Sequence, residues 1–144
     1  MADTIFIKRV VLSNYKSIKE CSVRLQPLTF LVGQNGAGKS NFLDALRLVT
    51  ESLNTTLEHA LRDRGGINEV RRRSAGHPTH FGIRLDWRMP DKCEGVYAFR
   101  VGAQKRGGFE VQQEECQIYD GVLKKHFYKV EGGQLKESSF EVAP

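Results

Sequence analysis

Eight consecutive residues, Gly33-Gln34-Asn35-Gly36-Ala37-Gly38-Lys39-Ser40, constrain this chain more than anything else in it. They satisfy the pattern G-x-x-x-x-G-K-[ST] in full, and that pattern has meaning when it leaves a buried strand and opens a helix. Leu28-Thr29-Phe30-Leu31-Val32 stand before it, a continuous apolar run that reads as a strand covered on both faces. After Lys39 the spacing changes. Phe42, Ala45, Leu46, Val49 and Leu53 recur at three and four residues, which predicts one face of an amphipathic helix. Between the two, glycines allow dihedrals closed to other residues, so successive amide N–H groups turn inward on an anion resting at the helix's positive end.

The residues that close the motif say which anion. Lys39 is spaced to reach β- and γ-phosphates as a point charge, and the Ser40 hydroxyl to take one coordination position on magnesium. The sequence therefore predicts ATP, or a closely similar nucleoside triphosphate, bound with Mg2+. The nucleotide-binding set is Gly33, Asn35, Gly36, Ala37, Gly38, Lys39, Ser40 and Asn41; Lys39 is the catalytic cation and Ser40 the metal ligand.

The 144 residues are the size of one domain, and 40% hydrophobic with 27% charged residues excludes a disordered chain. Three parts are expected within residues 1–144: strands, P-loop and first helix over 1–60, a basic loop over 61–80, and an antiparallel β-meander over 81–144. Strands are predicted at 5–12, ending at Ser13-Asn14, and at 21–25, forming an antiparallel pair. Phe81, Ile83, Leu85 and Trp87 alternate with polar neighbours and share one sheet face. Further strands are predicted at 96–101, 109–119 and 125–130, separated by glycine-bearing turn signals. No run approaches the length of a membrane span and the N-terminus has no signal-peptide pattern, so a cytoplasmic address with no membrane partner is expected. Cys21, Cys93 and Cys116 are odd in number and far apart, which suits reduced, packed thiols.

Two segments resemble one branch of the P-loop superfamily. Residues 11–19, Val-Leu-Ser-Asn-Tyr-Lys-Ser-Ile-Lys, look like the opening strand and turn of the ABC-type ATPase heads of structural maintenance of chromosomes (SMC) proteins, RecF-like repair proteins and the AAA-family ATPases related to overcoming-lysogenization-defect nucleases. Residues 31–46 look like their P-loop with its following Ser-Asn and Asp-Ala. The resemblance implies an α/β fold, the P-loop NTPase N-terminal lobe of an ABC-type head with an antiparallel β-subdomain. It implies an ATPase serving DNA repair or antiviral defence, in which two heads sandwich ATP as a homodimer and drive a nuclease or other effector, with DNA as a possible partner. Lys16 and Ser17 would lie beside the base or ribose, and an arginine from residues 62–73 near the phosphates.

Several parts of such a head are missing from the sequence. No apolar strand ends in Asp-Glu to hold the magnesium shell and orient water, and Ile83-Arg84-Leu85-Asp86-Trp87 is interrupted by an arginine. Neither a Ser-Gly-Gly signature nor a switch histidine is found. The chain is expected to be the N-terminal portion of a longer head, binding nucleotide with little turnover. Gln112, Gln113 and Gln117 are either a magnesium-contacting glutamine or residues of a strand face. Arg71, Arg72 and Arg73, with Arg62, Arg64, His77 and His80 nearby, are either a contact for nucleic-acid phosphates, encouraged by the net charge of +5, or a solvated loop. Trp87, Tyr97, Phe99 and Phe109 are assigned to the core of the meander, Glu114 and Glu115 to opposite faces of one strand, and His126 to a structural role. Two other functions remain open: a transporter's nucleotide-binding subunit, against which the 14–17 turn argues, and a P-loop phosphotransferase, against which the antiparallel strands argue.

Overall fold

The computed structural model describes residues 4–76, 78–121 and 123–140. Its frame is set by period-two patterning. Seven strands, β1 (Phe6–Tyr15), β2 (Ile18–Arg24), β3 (His80–Arg88), β4 (Glu94–Ala103), β5 (Phe109–Asp120), β6 (Leu123–Glu131) and β7 (Gln134–Ser138), form one sheet in the order β2-β1-β3-β4-β5-β6-β7. Every neighbouring pair is antiparallel. From β3 onward the sheet is a meander, and β6 and β7 are joined by Gly132-Gly133, whose φ values of 54° and 74° give the two left-handed residues that a tight hairpin needs. The excursion between β2 and β3 carries the P-loop and three helices, α1 (Lys39–Asn54), α2 (Leu57–Arg62) and α3 (Ile67–Val70).

Those helices cover one face of the sheet. Val10 and Leu12 of β1, Phe81, Ile83 and Leu85 of β3 and Val101 of β4 meet Phe42, Ala45, Leu48 and Val49 of α1, Ala60 and Leu61 of α2, and Ile67 and Val70 of α3 in a single core. Burying each large apolar side chain here contributes about 1.5–3 kcal/mol. Tyr15 and Phe81 meet edge to face at 5.6 Å, and Phe81 meets Phe99 likewise at 6.4 Å. On α1 the buried stripe includes Leu48, which the spacing omitted, whereas Leu53 near the helix end is 77% exposed. The basic loop expected over 61–80 instead contains the end of α2 and all of α3, with left-handed Gly65 and Gly66 turning the chain between them.

Residues 28–32 correct the sequence reading outright. They form no strand, and Leu28, Phe30 and Val32 are 72%, 78% and 91% exposed. A strand exists by pairing its backbone with neighbours on either side, and the seven strands here are all paired with one another. Only Leu31 of this run packs, half-buried, against the core; with no strand paired to it among the described residues, the run lacks the ladder hydrogen bonds that define a strand.

Glu114 and Glu115 face opposite ways. Glu114 lies on the helix side of β5 and accepts hydrogen bonds from Tyr97 (3.1 Å) and Tyr128 (2.9 Å), while Glu115 pairs in register with Ala98 and Lys129 on the other side. Burial, with the Glu114 carboxylate beside them, pushes both tyrosine hydroxyls up. His126 stacks on Phe140 at 5.4 Å. The three cysteines are free thiols.

Candidate nucleotide-binding site

At the start of α1 the chain makes a compact glycine-rich turn. Gly36 and Gly38 have φ of 83° and 93°, a region that side chains disfavour, and the Ala37 amide donates to the Gln34 carbonyl at 3.1 Å. Gly38 is the N-cap and carries no side-chain cap; the helix's first hydrogen bond runs from the Phe42 amide to the Gly38 carbonyl, 2.9 Å. The amides of Lys39, Ser40 and Asn41 therefore lie ahead of the intrahelical ladder, and the first turn holds no acidic side chain to take them. Lys39 folds back over the loop, its ammonium donating to the Gly33 and Gln34 carbonyls at 2.5 and 2.8 Å. Gly33, Asn35, Gly36, Ala37 and Ser40 are exposed, and a cleft of about 390 Å³ runs between this turn and β2, lined by Ser17, Ile18, Ala37, Gly38 and Lys39 among others.

The turn that joins β1 to β2 docks against this loop. A side chain added at Gly38 would reach Ile18 Cγ1 at 3.3 Å and Ser17 Oγ at 3.6 Å, so glycine is also required for this close approach. Asn41 Nδ2 donates to Ser17 Oγ at 2.7 Å. Asn14 and Lys16 adopt left-handed φ of 51° and 47°, and two backbone bonds hold them there: the Lys16 amide to the Val70 carbonyl and the Arg72 amide to the Asn14 carbonyl, both 2.7 Å.

Asp44, on the same helix, completes the docking, a role that no local pattern assigned to it. Its carboxylate accepts from Tyr15 Oη at 2.7 Å, pairs with Lys16 Nζ at 2.7 Å, and takes Arg64 Nε at 3.1 Å. Arg64, only 9% exposed at its side chain, also donates to the Ala60 carbonyl at 2.8 Å and pairs with Glu51. Burial alone would raise the Asp44 carboxyl, but the donors from Lys16, Tyr15 and Arg64 outweigh it and hold it at about 2. Burial and the Asp44 carboxylate together push the Tyr15 hydroxyl up. The available signal was chain position: an acid three residues after Asn41 on a helix whose first turn faces the Tyr15-Lys16 turn.

The model of the AAA ATPase domain family matches residues 6–131, from the start of β1 to the end of β6. This chain belongs to the AAA ATPase domain family. It is 39% identical over 104 residues to the DNA replication and repair protein RecF of Gloeobacter violaceus, a match covering 70% of this chain and 27% of that protein. The chain thus spans little more than a quarter of that relative's length. No solved structure matches it. The likeness to SMC and RecF-type ATPase heads, in their N-terminal portion, is borne out.

Within this AAA ATPase domain four of the five arginines of residues 62–73 turn to their own neighbours, whereas the Arg72 side chain has no hydrogen-bond or ion-pair partner among the described residues and only its backbone amide is engaged, by the Asn14 carbonyl. Arg62 meets His59 Nδ1 at 2.8 Å, Arg71 donates to Asn68 Oδ1 (2.8 Å) and the Pro78 carbonyl (2.9 Å), and Arg73 donates to the Asn68 carbonyl and pairs with Glu69. Arg64 points at Asp44, as above. His77 lies outside the described residues. Gln112, Gln113 and Gln117 are strand residues of β5: Gln112 lies across Gly102, and Gln117 accepts from Tyr119. Among the described residues no group of three acidic, histidine or cysteine side chains gathers as a metal cage, and no helix is long and apolar enough to cross a membrane.

Proposed function

We propose that this chain is the ATP-binding lobe of an ABC-type ATPase head, the N-terminal part of a longer cytoplasmic protein, in which ATP binding and hydrolysis gate a DNA-processing or phage-defence module. One observation carries the reading: α1 opens on a left-handed, uncapped Gly38 with three amides and the Lys39 ammonium converging on the same loop. Main-chain donors so arranged suit a polyphosphate.

In this reading Lys39 leaves the Gly33 and Gln34 carbonyls for the β- and γ-phosphates, and the amides of residues 36–41 hold the remaining oxygens. Lys16 and Ser17 flank the nucleoside half. Ser40 Oγ, a hard oxygen exposed at the helix start, suits Mg2+, which takes few protein ligands and fills its octahedron with water and phosphate oxygens. Magnesium, when bound, supplies charge neutralisation between the β- and γ-phosphates. Strands from the remainder of the longer protein would pair with residues 28–32 and cover Leu28, Phe30 and Val32, and a second head would close over the nucleotide as a homodimer that moves a nuclease or other effector.

The test is a nucleotide titration of the wild type and Lys39→Ala, with phosphate release followed with and without DNA. Charged hydrogen bonds contribute about 1.5–3 kcal/mol each, and two to phosphate replace two to carbonyls, so Lys39→Ala should cost about 3 kcal/mol, roughly a hundredfold in affinity. Magnesium-dependent binding with slow turnover is the expected wild-type result. Equal affinity in the two proteins would refute the site.

A further inference from the structure

We propose that the helix-free face of the sheet carries a second phosphate site, a hollow centred on Gly82 and gripped by Arg100, which takes the phosphodiester backbone of a nucleic acid. Register builds the hollow. Gly82 sits between Ser13 of β1 and Arg100 of β4, and Arg100 continues to Gln113 of β5. Along its own strand Arg100 is flanked on this face by Ala98 and Gly102; the Gln112 side chain covers Gly102, so the space is open towards Gly82 and Ala98. The result is a depression of about 340 Å³ whose walls include Ser13, Arg84, Arg100, Gln113 and Lys129. Beside it the pairing of β4 with β5 shifts between Arg100 and Val101, leaving Gln112 as the extra residue, the kind of bulge that re-aims side chains.

Arg100 is what marks this hollow as a site. Its Nε is buried and is the one such side-chain nitrogen or oxygen among the described residues with no hydrogen-bond partner. No described residue bonds or pairs with the rest of its guanidinium; of the three arginines first suspected of touching nucleic acid, Arg71 and Arg73 have already spent donors on Asn68, Pro78 and Glu69, and Arg72 alone shares the lack of a described side-chain partner but lies outside this hollow. A guanidinium fork matches two oxygens of one phosphate, with the Ser13 hydroxyl within the same depression. Arg84 and Lys129 add charge while each keeps an acidic neighbour, Asp86 and Glu131, at 2.8 Å. Glu115 stands at the Lys129 end, which directs the phosphate to the Gly82 end. The choice of a nucleic acid over another phosphodiester rests on the DNA-coupled reading above; the hollow itself does not.

The experiment measures binding of a labelled DNA duplex and an RNA duplex of equal length to the whole chain over a salt series, with ATP titrated in parallel. Arg100→Gln should weaken binding about tenfold and lower the slope of log affinity against log salt by about 1, with ATP affinity unchanged. Arg100→Lys should recover the slope but only part of the affinity, and Arg73→Gln should match the wild type. Should Arg100→Gln fail to fold, Arg84→Gln, whose side chain is 44% exposed, gives the same reading at smaller amplitude. Loss with DNA, RNA or both supports the site and identifies the source of the phosphodiester. Absence of nucleic-acid binding by the wild type, or an unchanged slope in the variants, overturns it; failure of the wild type to bind ATP overturns the function proposed above and leaves this site standing.

Discussion

Asp44→Asn removes one negative charge and almost no volume, so it isolates what that carboxylate does for the fold. Three donors converge on it: Tyr15 Oη and Lys16 Nζ at 2.7 Å each, and Arg64 Nε at 3.1 Å. Arg64 is 9% and Asp44 22% exposed at the side chain, which puts the pair between two regimes. Breaking a fully buried ion pair costs about 3–5 kcal/mol, and an exposed one is worth about 0–1. Glu51 remains to hold Arg64 in the variant, so about 2 kcal/mol is expected. The acidity of the group gives the same order: a carboxyl held at about 2 against an ordinary 3.8 corresponds to about 2 kcal/mol. Because folding lowers this carboxyl's pKa, its contribution is complete above the unfolded value and is lost as pH falls through about 2. Urea unfolding of both proteins, from pH 7 downward, should show a gap of about 2 kcal/mol that narrows below about pH 4 and closes towards pH 2; the melting temperature at pH 7 should fall by roughly 6–8 °C. A gap under about 0.5 kcal/mol at pH 7, or one that persists undiminished into strong acid, would refute the reasoning.

Gly95→Ala tests packing on β4: the added carbon would sit 2.0 Å from Trp87 Cζ2, so destabilisation of about 1–3 kcal/mol with altered tryptophan fluorescence is expected in a thermal melt. Val32→Ser tests whether residues 28–32 are an uncovered element. At 91% exposure it should leave the stability of this chain within about 0.5 kcal/mol, whereas a longer protein that buries the residue should lose about 1.5 kcal/mol or more in the same denaturant titration.

What the sequence made legible follows from how local each signal is. The meander was readable because alternation at Phe81, Ile83, Leu85 and the glycine-marked turns act within a few residues of themselves. The glycine turn was readable for the same reason, since the spacing of Gly36 and Gly38 before the helix determines the backbone shape over a few positions. The docking of that turn was not. Asp44 meets Tyr15 across 29 positions and Arg64 across 20, and no periodicity links an acid on α1 to an arginine beyond α2. Likewise Arg100 was one unremarked residue of the strand predicted at 96–101, and only the registers that bring Gly82 and Gln113 beside it reveal a guanidinium without partners among the described residues. The error at residues 28–32 is of a different kind. Composition reports what environment a segment requires, not whether the chain in hand provides it; Leu28, Phe30 and Val32 lie two apart and would share one face of a strand, which is exposed here, while Leu31 between them packs against the core. The same residues are therefore where a longer protein and this chain should differ: Val32→Ser should cost stability only where a neighbouring strand covers the residue.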